Sequence, residues 1–415
     1  MTVEYQIFKA KNTNYAFFPS NLQLSRVNTK QLNRVISQPE NLRLDPPKLK
    51  TVCGDIINNL ILNISGACNL RCKYCIIFGN TRQGSLLHMT FETAKTAIDT
   101  FIAENPASNG FGIVFFGGEP LLNEKVIEKV LDYCREISLV TEKQVSFSLV
   151  TNGTILTKPI IEMIRKFSVK LSITIDGDER NHNLNRDFNN GKPTYAKINR
   201  NILWLQDEGI PFELCAGITY ETRDYVKFFK TLESFRVPFS FGFIQKNIFE
   251  KETGYNSQHL GLIENEFVRL IKYYIKRIES NRSVNCTNMY DALSAIHNRA
   301  AKAVRCTAGK NVITVNPDGT IYSCQFISNI PSASIGTLSE GIDCQKRSEF
   351  SAIPLQQSPE CSSCSIRLFC GGSCFADNYI VNNALDIPVN YSCRLMHIEW
   401  EGYINLYLHT YQSFF

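Results

Sequence analysis

Between Leu60 and Gln245, strand-like apolar runs alternate with amphipathic stretches six times, and this alternation restricts the chain more than any other feature. The runs are Leu60–Ile64, Gly112–Phe116, Val145–Val150, Lys170–Ile175, Phe212–Ile218 and Phe239–Ile244. Each is a compact apolar segment of the kind a doubly covered strand needs, and strand–helix alternation predicts a parallel sheet. Between them, Phe91, Ala94, Ile98, Phe101 and Ile102 recur at helical spacing behind the cap Thr90. Val126, Ile127, Val130, Leu131 and Cys134 do the same after Asn123, and Pro159 falls in the first turn of a helix behind Thr157. Right-handed crossovers curl such an array toward a barrel. Six units predict an α/β fold built on an incomplete barrel, a partial (β/α)6 TIM-type barrel.

Parallel barrels keep their chemistry at the C-terminal ends of the strands. The first run ends in Ser65-Gly66-Ala67-Cys68-Asn69-Leu70-Arg71-Cys72-Lys73-Tyr74-Cys75, a C-x3-C-x-aromatic-C loop. An electron-carrying four-iron cluster takes four protein ligands, so three thiolates leave one iron open to another molecule. A structural zinc site is the alternative, but zinc pairs Cys-x2-Cys with a second pair or with histidines. The second run ends in Gly117-Gly118-Glu119-Pro120, where glycines admit a close ligand and Glu119 accepts from an ammonium group. The third ends in Ser148-Leu149-Val150-Thr151-Asn152-Gly153 and the fourth in Asp176-Gly177. Small polar side chains there suit hydroxyls and carboxylates, and Gly153 and Gly177 are also ordinary turn residues.

The chain has 415 residues, a net charge of +5 and no Lys/Arg block, which gives no reason to expect nucleic acid. No secretory signal is visible at the start, and no apolar run approaches the ~20 residues of a membrane span. A cytoplasmic protein is expected. In a reducing compartment fifteen cysteines read as metal or redox groups rather than disulfides. Cys53, Cys134, Cys215 and Cys344 read as ordinary buried or loop cysteines, with Cys134 and Cys215 on apolar faces.

The three-cysteine loop followed one strand later by Gly117–Pro120 resembles the radical S-adenosylmethionine (SAM) enzymes. That resemblance implies a 4Fe-4S cluster on Cys68, Cys72 and Cys75 whose open iron binds SAM. It also implies SAM contacts from Gly117, Gly118, Glu119, Pro120, Ser148, Asn152 and Asp176, which is followed by His182 and Arg186. Tyr74 stands where the family sets an aromatic against the adenine, or is a core tyrosine. In the family, reductive cleavage of SAM gives a 5′-deoxyadenosyl radical that abstracts hydrogen from an unactivated carbon.

A second cysteine series supplies the subclass. Cys306 is followed after twelve residues by Gly319 and after four more by Cys324. Then come Cys361-x2-Cys364-x5-Cys370-x3-Cys374 and, eighteen residues on, Cys393. A zinc ribbon would explain Cys361 and Cys364 with two later cysteines but not Cys306 and Cys324. The series resembles the SPASM extension of radical SAM peptide maturases, which holds two auxiliary 4Fe-4S clusters. By position, Cys361, Cys364, Cys370 and Cys393 hold the outer cluster, and Cys306, Cys324 and Cys374 the inner. Some members carry a further cysteine shortly before the position of Cys306; residues 300–305 here have none. The expectation is an open iron, with Cys286 or His297 as alternative fourth ligands.

The domains expected are an N-terminal extension over 1–55, a barrel over 56–250 and a helical bridge over 251–305. A SPASM domain follows over 306–400 and a tail over 401–415. In the extension, Tyr5–Phe8 and Tyr15–Phe18 read as strands and Thr29–Ile36 as a helix. It either grips a leader peptide or packs on the barrel. Helices are expected over Leu262–Glu279 and Tyr290–Val304, then a hairpin, Val312–Val315 and Thr320–Tyr322, about Asn316-Pro317-Asp318-Gly319. The resemblance implies a maturase that crosslinks a ribosomally made precursor peptide through a thioether, C–C or C–O bond, using an electron donor such as flavodoxin or ferredoxin. The alternatives are a peptide epimerase, an anaerobic sulfatase-maturating (formylglycine-forming) enzyme, or a non-catalytic iron–sulfur scaffold. In sulfatase maturases an aspartate base follows the cysteine matched by Cys324; here Gln325 does.

Overall fold

The structure is a computed structural model that describes residues 5–28, 48–50, 57–76, 87–244, 255–351 and 359–414. The expected helix Thr29–Ile36 and Cys53 lie outside these residues. Strands β1 (Gln6–Ala10), β2 (Thr13–Phe18) and β3 (Gln23–Val27) form a small antiparallel sheet. β4 (Lys48–Lys50) follows it. The six expected parallel strands are β5 (Asn59–Ser65), β6 (Gly110–Gly117), β7 (Gln144–Thr151), β8 (Lys170–Thr174), β9 (Phe212–Ile218) and β10 (Phe239–Phe243). They lie side by side in chain order, each parallel to the next. An order without reversal, joined by right-handed crossovers, puts the connecting helices on one face. Those helices bury the expected stripes: Ala94, Ile98 and Phe101 on Phe91–Glu104, and Ile127, Val130, Leu131 and Cys134 on Glu124–Thr141. Thr90 caps the first of them, accepting the Thr93 N–H at 3.0 Å, and Thr157 caps Lys158–Phe167 with Pro159 in its first turn.

The sheet does not stop at β5. β11 (Ala300–Lys302) pairs with β4, and β12 (Val312–Val315) then lies parallel to β5 on its free edge. β13 (Thr320–Tyr322), β14 (Ser334–Thr337) and β15 (Gly341–Ile342) continue antiparallel, making one sheet of ten strands. The cysteine-rich region thus grows out of the strand that carries the three-cysteine loop. At the opposite edge, Asn288 covers β10 as a neighbouring strand would. Its Oδ1 accepts the Phe241 N–H at 2.9 Å and its Nδ2 donates to the Phe241 carbonyl at 3.1 Å. Backbone groups at a sheet edge need partners, and here one amide side chain supplies both.

Two expectations change. The helix expected over Tyr290–Val304 runs only over Thr287–His297, because Arg299 takes a left-handed φ of 52° and the chain continues as β11. Residues 401–415, expected as a tail, belong to a helix, Asn390–Phe414, whose Tyr403, Ile404, Leu406 and Leu408 are buried.

The antiparallel sheet at the N-terminus packs on the cysteine-rich region. Phe17 stacks on Phe369 (ring centroids 5.7 Å apart, interplanar angle 9°), and Phe369 stacks on Trp400 (4.3 Å, 4°). Gln6 Nε2 donates to Ser365 Oγ at 3.0 Å. Because Phe369 is the middle ring of three, Phe369→Ala should cost about 3–5 kcal/mol in denaturant unfolding. It should also make the segment before residue 28 cleavable by protease at concentrations that spare the wild type.

Candidate active site

The loop after β5 is laid along the segment that follows β8. Arg71 N donates to the Asp187 carbonyl at 2.8 Å, Lys73 N to Asn185 at 2.9 Å, and Asn189 N to Asn69 at 3.1 Å. Asn189 Nδ2 holds the Cys68 carbonyl at 2.9 Å. So pinned, Cys68, Cys72 and Cys75 are all half-buried on one short loop. Burial pushes the Cys68 thiol up to about 12 and the Cys72 thiol up to about 11, and the neighbouring thiolates add to both shifts. Arg186 acts the other way on Cys72. Among the described residues, no three His, Cys, Asp or Glu side chains converge as they would on a single metal ion.

The Gly117–Pro120 run is stitched to the start of that loop. Gly118 N donates to the Ser65 carbonyl and Glu119 N to the Ala67 carbonyl, both at 2.8 Å. Gly117 has φ +130°, and a Cβ there would stand 2.3 Å from the Ser65 carbonyl oxygen. Gly117→Ala should therefore cost about 1–3 kcal/mol through backbone strain, read as a lowered thermal midpoint. It should also displace the cysteine loop, read as faster amide exchange at residues 66–70.

Glu119 is fully buried. Its Oε1 accepts Thr151 Oγ1 at 2.7 Å and Leu121 N at 3.1 Å, and its Oε2 accepts Asn152 N at 2.8 Å. Burial raises its pKa while these donors oppose the shift. A carboxylate has about four acceptor positions, so one remains for an ammonium group. Asn152 is also engaged: its Oδ1 accepts Thr154 N and Thr154 Oγ1, and its Nδ2 donates to Asn69 Oδ1 at 2.9 Å and toward Cys68 Sγ at 3.8 Å. Pro120 is buried at the start of a 3-10 turn. Ser148 lies in mid-strand, half-buried, short of the rim that Thr151 and Asn152 form.

The third part of the site is a buried triad. Tyr74 donates to Asp176 Oδ2 at 2.5 Å, Arg186 Nη1 donates to Tyr74 Oη at 3.0 Å, and Arg186 Nη1 stands 3.7 Å from Asp176 Oδ1. Gly217 N donates to Asp176 Oδ1 at 2.8 Å; a Cβ on Gly217 would meet Tyr74 and Asp176 at 3.3 and 3.4 Å. His182 braces the triad from behind. Its Nδ1 accepts the Asp176 N–H, and its Nε2 meets Thr194 Oγ1, which donates to the Arg186 carbonyl. Burial, then the charge of Arg186, hold the His182 pKa well below the ordinary value. The ring is therefore neutral, with its proton on Nε2. Tyr74 thus has its hydroxyl anchored on charged groups, unlike a plain core tyrosine. Arg186 Nε and Asn185 Oδ1 are buried with no partner in the protein. The charge of Arg186 acts on the Cys72 thiol, and an unpartnered donor so placed fits a polar ligand such as a SAM bound at the cysteine loop.

Of the seven later cysteines, Cys370, Cys374 and Cys393 line one cavity together, so members of both expected sets lie near each other. Cys306, Cys324 and Cys374 pack around one small apolar cluster with Ala308, Tyr322, Ile327 and Phe375. Cys361, Cys364, Cys370 and Cys393 line a cavity of about 820 Å³, with Tyr5 and Gln6 on its wall. Two cations missed in the sequence touch this second set. His397 Nε2 is 3.5 Å from Cys364 Sγ, and Arg305 Nη1 is 3.7 Å from Cys370 Sγ. Burial is the largest single effect and raises the Cys364 thiol, but the bond to His397, the Ile366 N–H and the charges of His397 and Arg367 together outweigh it, and the net shift is downward. The spacing Cys393–His397, one helical turn, is the signal that reveals His397 in the sequence.

Cys286 is buried, with Met289 and Asn288 N–H groups and Glu233 about it, and His297 Nδ1 meets Tyr407 Oη at 3.2 Å. Cys134 is in the core and Cys344 exposed, whereas Cys215 is half-buried beside Ser240, on the face of β9 opposite Leu214 and Ala216. The apolar face expected for Cys215 belongs to its neighbours. The hairpin turn and the segment after Cys324 are tied to β5, β6 and the end of the first loop. Asn63 Nδ2 donates to Asn316 Oδ1 at 2.6 Å and Ser328 Oγ at 3.1 Å, Asn329 Nδ2 donates to the Ile76 carbonyl at 3.3 Å, and Phe326 meets Phe116 edge to face.

The profile of the radical SAM superfamily matches residues 62–232. The uncharacterized protein MJ0907 of Methanocaldococcus jannaschii is 33% identical over 235 residues, 54% of this chain and 76% of its own. The radical SAM cyclopropyl synthase TigE of Paramaledivibacter caminithermalis is 24% identical over 77% of this chain and 68% of its own. A cysteine-type anaerobic sulfatase-maturating enzyme of Clostridium perfringens is 24% identical over 76% and 88%. The structure of anSMEcpe with bound AdoMet and Cp18Cys peptide shares the fold, with a TM-score of 0.73 at 18% identity, over 86% of this chain and 99% of that one. The chain belongs to the radical SAM superfamily, whose members carry a 4Fe-4S cluster and SAM. Among the described residues, no helix is long and apolar enough to cross a membrane.

Proposed function

We propose that this chain is a radical SAM/SPASM peptide maturase that installs a crosslink in a ribosomally made precursor peptide. The observation that carries the reading is that Cys361, Cys364, Cys370 and Cys393 line one cavity while Cys306, Cys324 and Cys374 share one apolar cluster, with Asn329, shortly after Cys324, bonded to the carbonyl that follows Cys75. On this reading the sheet curls into a partial barrel over 56–250. The extension is residues 1–55, the bridge 251–305, the SPASM domain 306–400, and the last residues brace the bridge. Cys68, Cys72 and Cys75 hold the SAM cluster; Cys306, Cys324 and Cys374 the inner auxiliary cluster; and Cys361, Cys364, Cys370 and Cys393 the outer one.

When bound, the first cluster and SAM supply a 5′-deoxyadenosyl radical that takes a hydrogen from the substrate. The chain's residues bind and orient. The last acceptor position of Glu119 would take the SAM amino group, and the buried Arg186, held by Asp176 and Tyr74, would supply a cation for its carboxylate. Neutral His182 fixes Asp176 and, through Thr194, the Arg186 backbone. Phe116 meets Phe326, two residues after Cys324, edge to face. Cationic Arg305 and His397 beside the outer thiolates favour that set as an electron acceptor, as a net oxidation such as crosslinking requires.

The peptide complex of anSMEcpe supports a peptide substrate. The protein is proposed to be cytoplasmic and to draw electrons from a flavodoxin or ferredoxin. The test is anaerobic incubation with SAM, a reductant and the short peptide encoded beside the gene, followed by mass spectrometry. Loss of two hydrogens with no aldehyde supports the crosslink. Deuterium gain in heavy water without other mass change points to epimerisation. A cysteine or serine oxidised to an aldehyde points to sulfatase maturation, a reading favoured by the resemblance to the Clostridium perfringens enzyme. No 5′-deoxyadenosine at all leaves only an iron–sulfur scaffold.

A further inference from the structure

We propose that Glu399 is a catalytic residue, the base that takes up the proton released when the crosslink forms. The inference rests on the maturase reading and names a part of that reaction which no residue described so far supplies. Joining R–H and H–X as R–X removes two protons and two electrons from the substrate. One hydrogen atom passes to the 5′-deoxyadenosyl radical and leaves as 5′-deoxyadenosine. The substrate still has to lose one electron, to an oxidised iron–sulfur cluster, and one proton, to a base.

Gly217 and Gly242 are paired across β9 and β10, so their side-chain positions point to one face of the sheet. A Cβ on Gly217 would meet Tyr74 and Asp176, whereas one on Gly242 would meet nothing within 4 Å. The space beside Gly242 belongs to a cavity of about 780 Å³ that also touches Cys370, Cys374 and Cys393. The cavity therefore begins one strand, about 5 Å, from the buried triad and reaches the later cysteines. A substrate lying across the two glycines spans both.

Three acids line this cavity: Asp291, Asp377 and Glu399. Asp291 is exposed to water, and Asp377 stands in the first turn behind Cys374, a proposed cluster ligand. Glu399 is half-buried and oriented. The Tyr403 hydroxyl donates to its Oε2 at 3.1 Å, and among the described residues its Oε1 accepts no hydrogen bond. Arg305 and Lys302 share the cavity wall and favour the anion, the form that accepts a proton. Burial acts more strongly the other way and raises the Glu399 pKa to about 7, which suits a base at neutral pH. The groups that face it are the Tyr403 hydroxyl on its own helix, the Cys286 thiol ahead of Thr287–His297, Lys302 on β11 and Arg305.

The test uses the full reconstituted chain with SAM, a reductant and the peptide encoded beside the gene. Glu399→Gln keeps an oxygen for Tyr403 but removes the base. It is expected to form 5′-deoxyadenosine as the wild type does while crosslinked peptide falls about a hundredfold or more. The wild-type crosslinking rate should rise with pH through about 7 and level above it, because only the ionised carboxylate accepts a proton; in Glu399→Gln that rise should be gone. In the cluster-free protein, the infrared difference between the two should show one carboxyl ionising near neutral pH, and its absence overturns the assignment. Asp291→Asn, on the same cavity, should crosslink at the wild-type rate. A Glu399→Gln chain that crosslinks as fast as the wild type overturns the assignment. So does one that loses 5′-deoxyadenosine and crosslink in equal measure, since such a loss is structural. If Glu399→Gln does not fold, Glu399→Asp decides: it keeps the acid, so a retained pH profile supports the base and a lost one overturns it. A wild type that forms no crosslink sinks the maturase reading itself, a separate failure.

Discussion

Replacing Cys72 by alanine is expected to abolish 5′-deoxyadenosine formation from SAM and to remove about four irons per chain, with the fold unchanged by circular dichroism. Two features separate chemistry from stability at this position. The neighbours Arg71 and Lys73 are held by their own backbone hydrogen bonds to Asp187 and Asn185, so the loop keeps its course without the sulfur. The thiol is raised to about 11 chiefly by burial, so in the cluster-free protein it is a neutral side chain whose loss leaves no charge stranded. Iron analysis and chromatography of the reaction mixture check both halves. Continued SAM cleavage by the variant would remove Cys72 from the cluster, and a collapsed fold would show the loop to be structural.

Arg186→Met is expected to lower stability by about 3–5 kcal/mol, because it leaves Asp176 buried without its cation. Arg186 and Asp176 are 5% and 2% exposed, so water does not replace the lost partner. The same change should weaken SAM binding ten- to a hundredfold, the worth of about one charged hydrogen bond of 1.5–3 kcal/mol. The two effects part in the double variant. Adding Asp176→Asn to Arg186→Met neutralises the stranded carboxylate, so urea unfolding should recover much of the loss while SAM affinity, read by calorimetry, stays low. If affinity returns with stability, Arg186 acts on the fold alone.

The six parallel strands were legible because a doubly covered strand is a short apolar run and its ends are local events. Leu60–Ile64, Phe212–Ile218 and their neighbours needed no knowledge of what covers them. The helix expected to reach Val304 was overcalled because the break lies in one left-handed residue, Arg299, and in pairing with Lys48–Lys50 about 250 residues earlier. The role of Glu119 was half legible. Its place after two glycines and the nearby Leu121 N–H are written in the chain, but its other two donors, Thr151 and Asn152, reach it only when β6 and β7 lie together. His397 was half legible: it stands one helical turn beyond Cys393, but a histidine on a helix face is ordinary until the distant Cys364 is beside it.

By itself the sequence determined the parallel sheet, the three-cysteine loop at its first strand and the spacing of the seven later cysteines, since each depends on residues close along the chain. The tertiary structure alone decided that β12 extends the sheet from β5 and that Asn63 reaches Ser328 across 265 positions. It also set His297 against Tyr407 and laid the Asn288 side chain along the Phe241 backbone, contacts between segments far apart in the chain. Spacing along a strand or loop is fixed by covalent geometry. The partner that a buried polar group finds is fixed only when distant segments exclude water together.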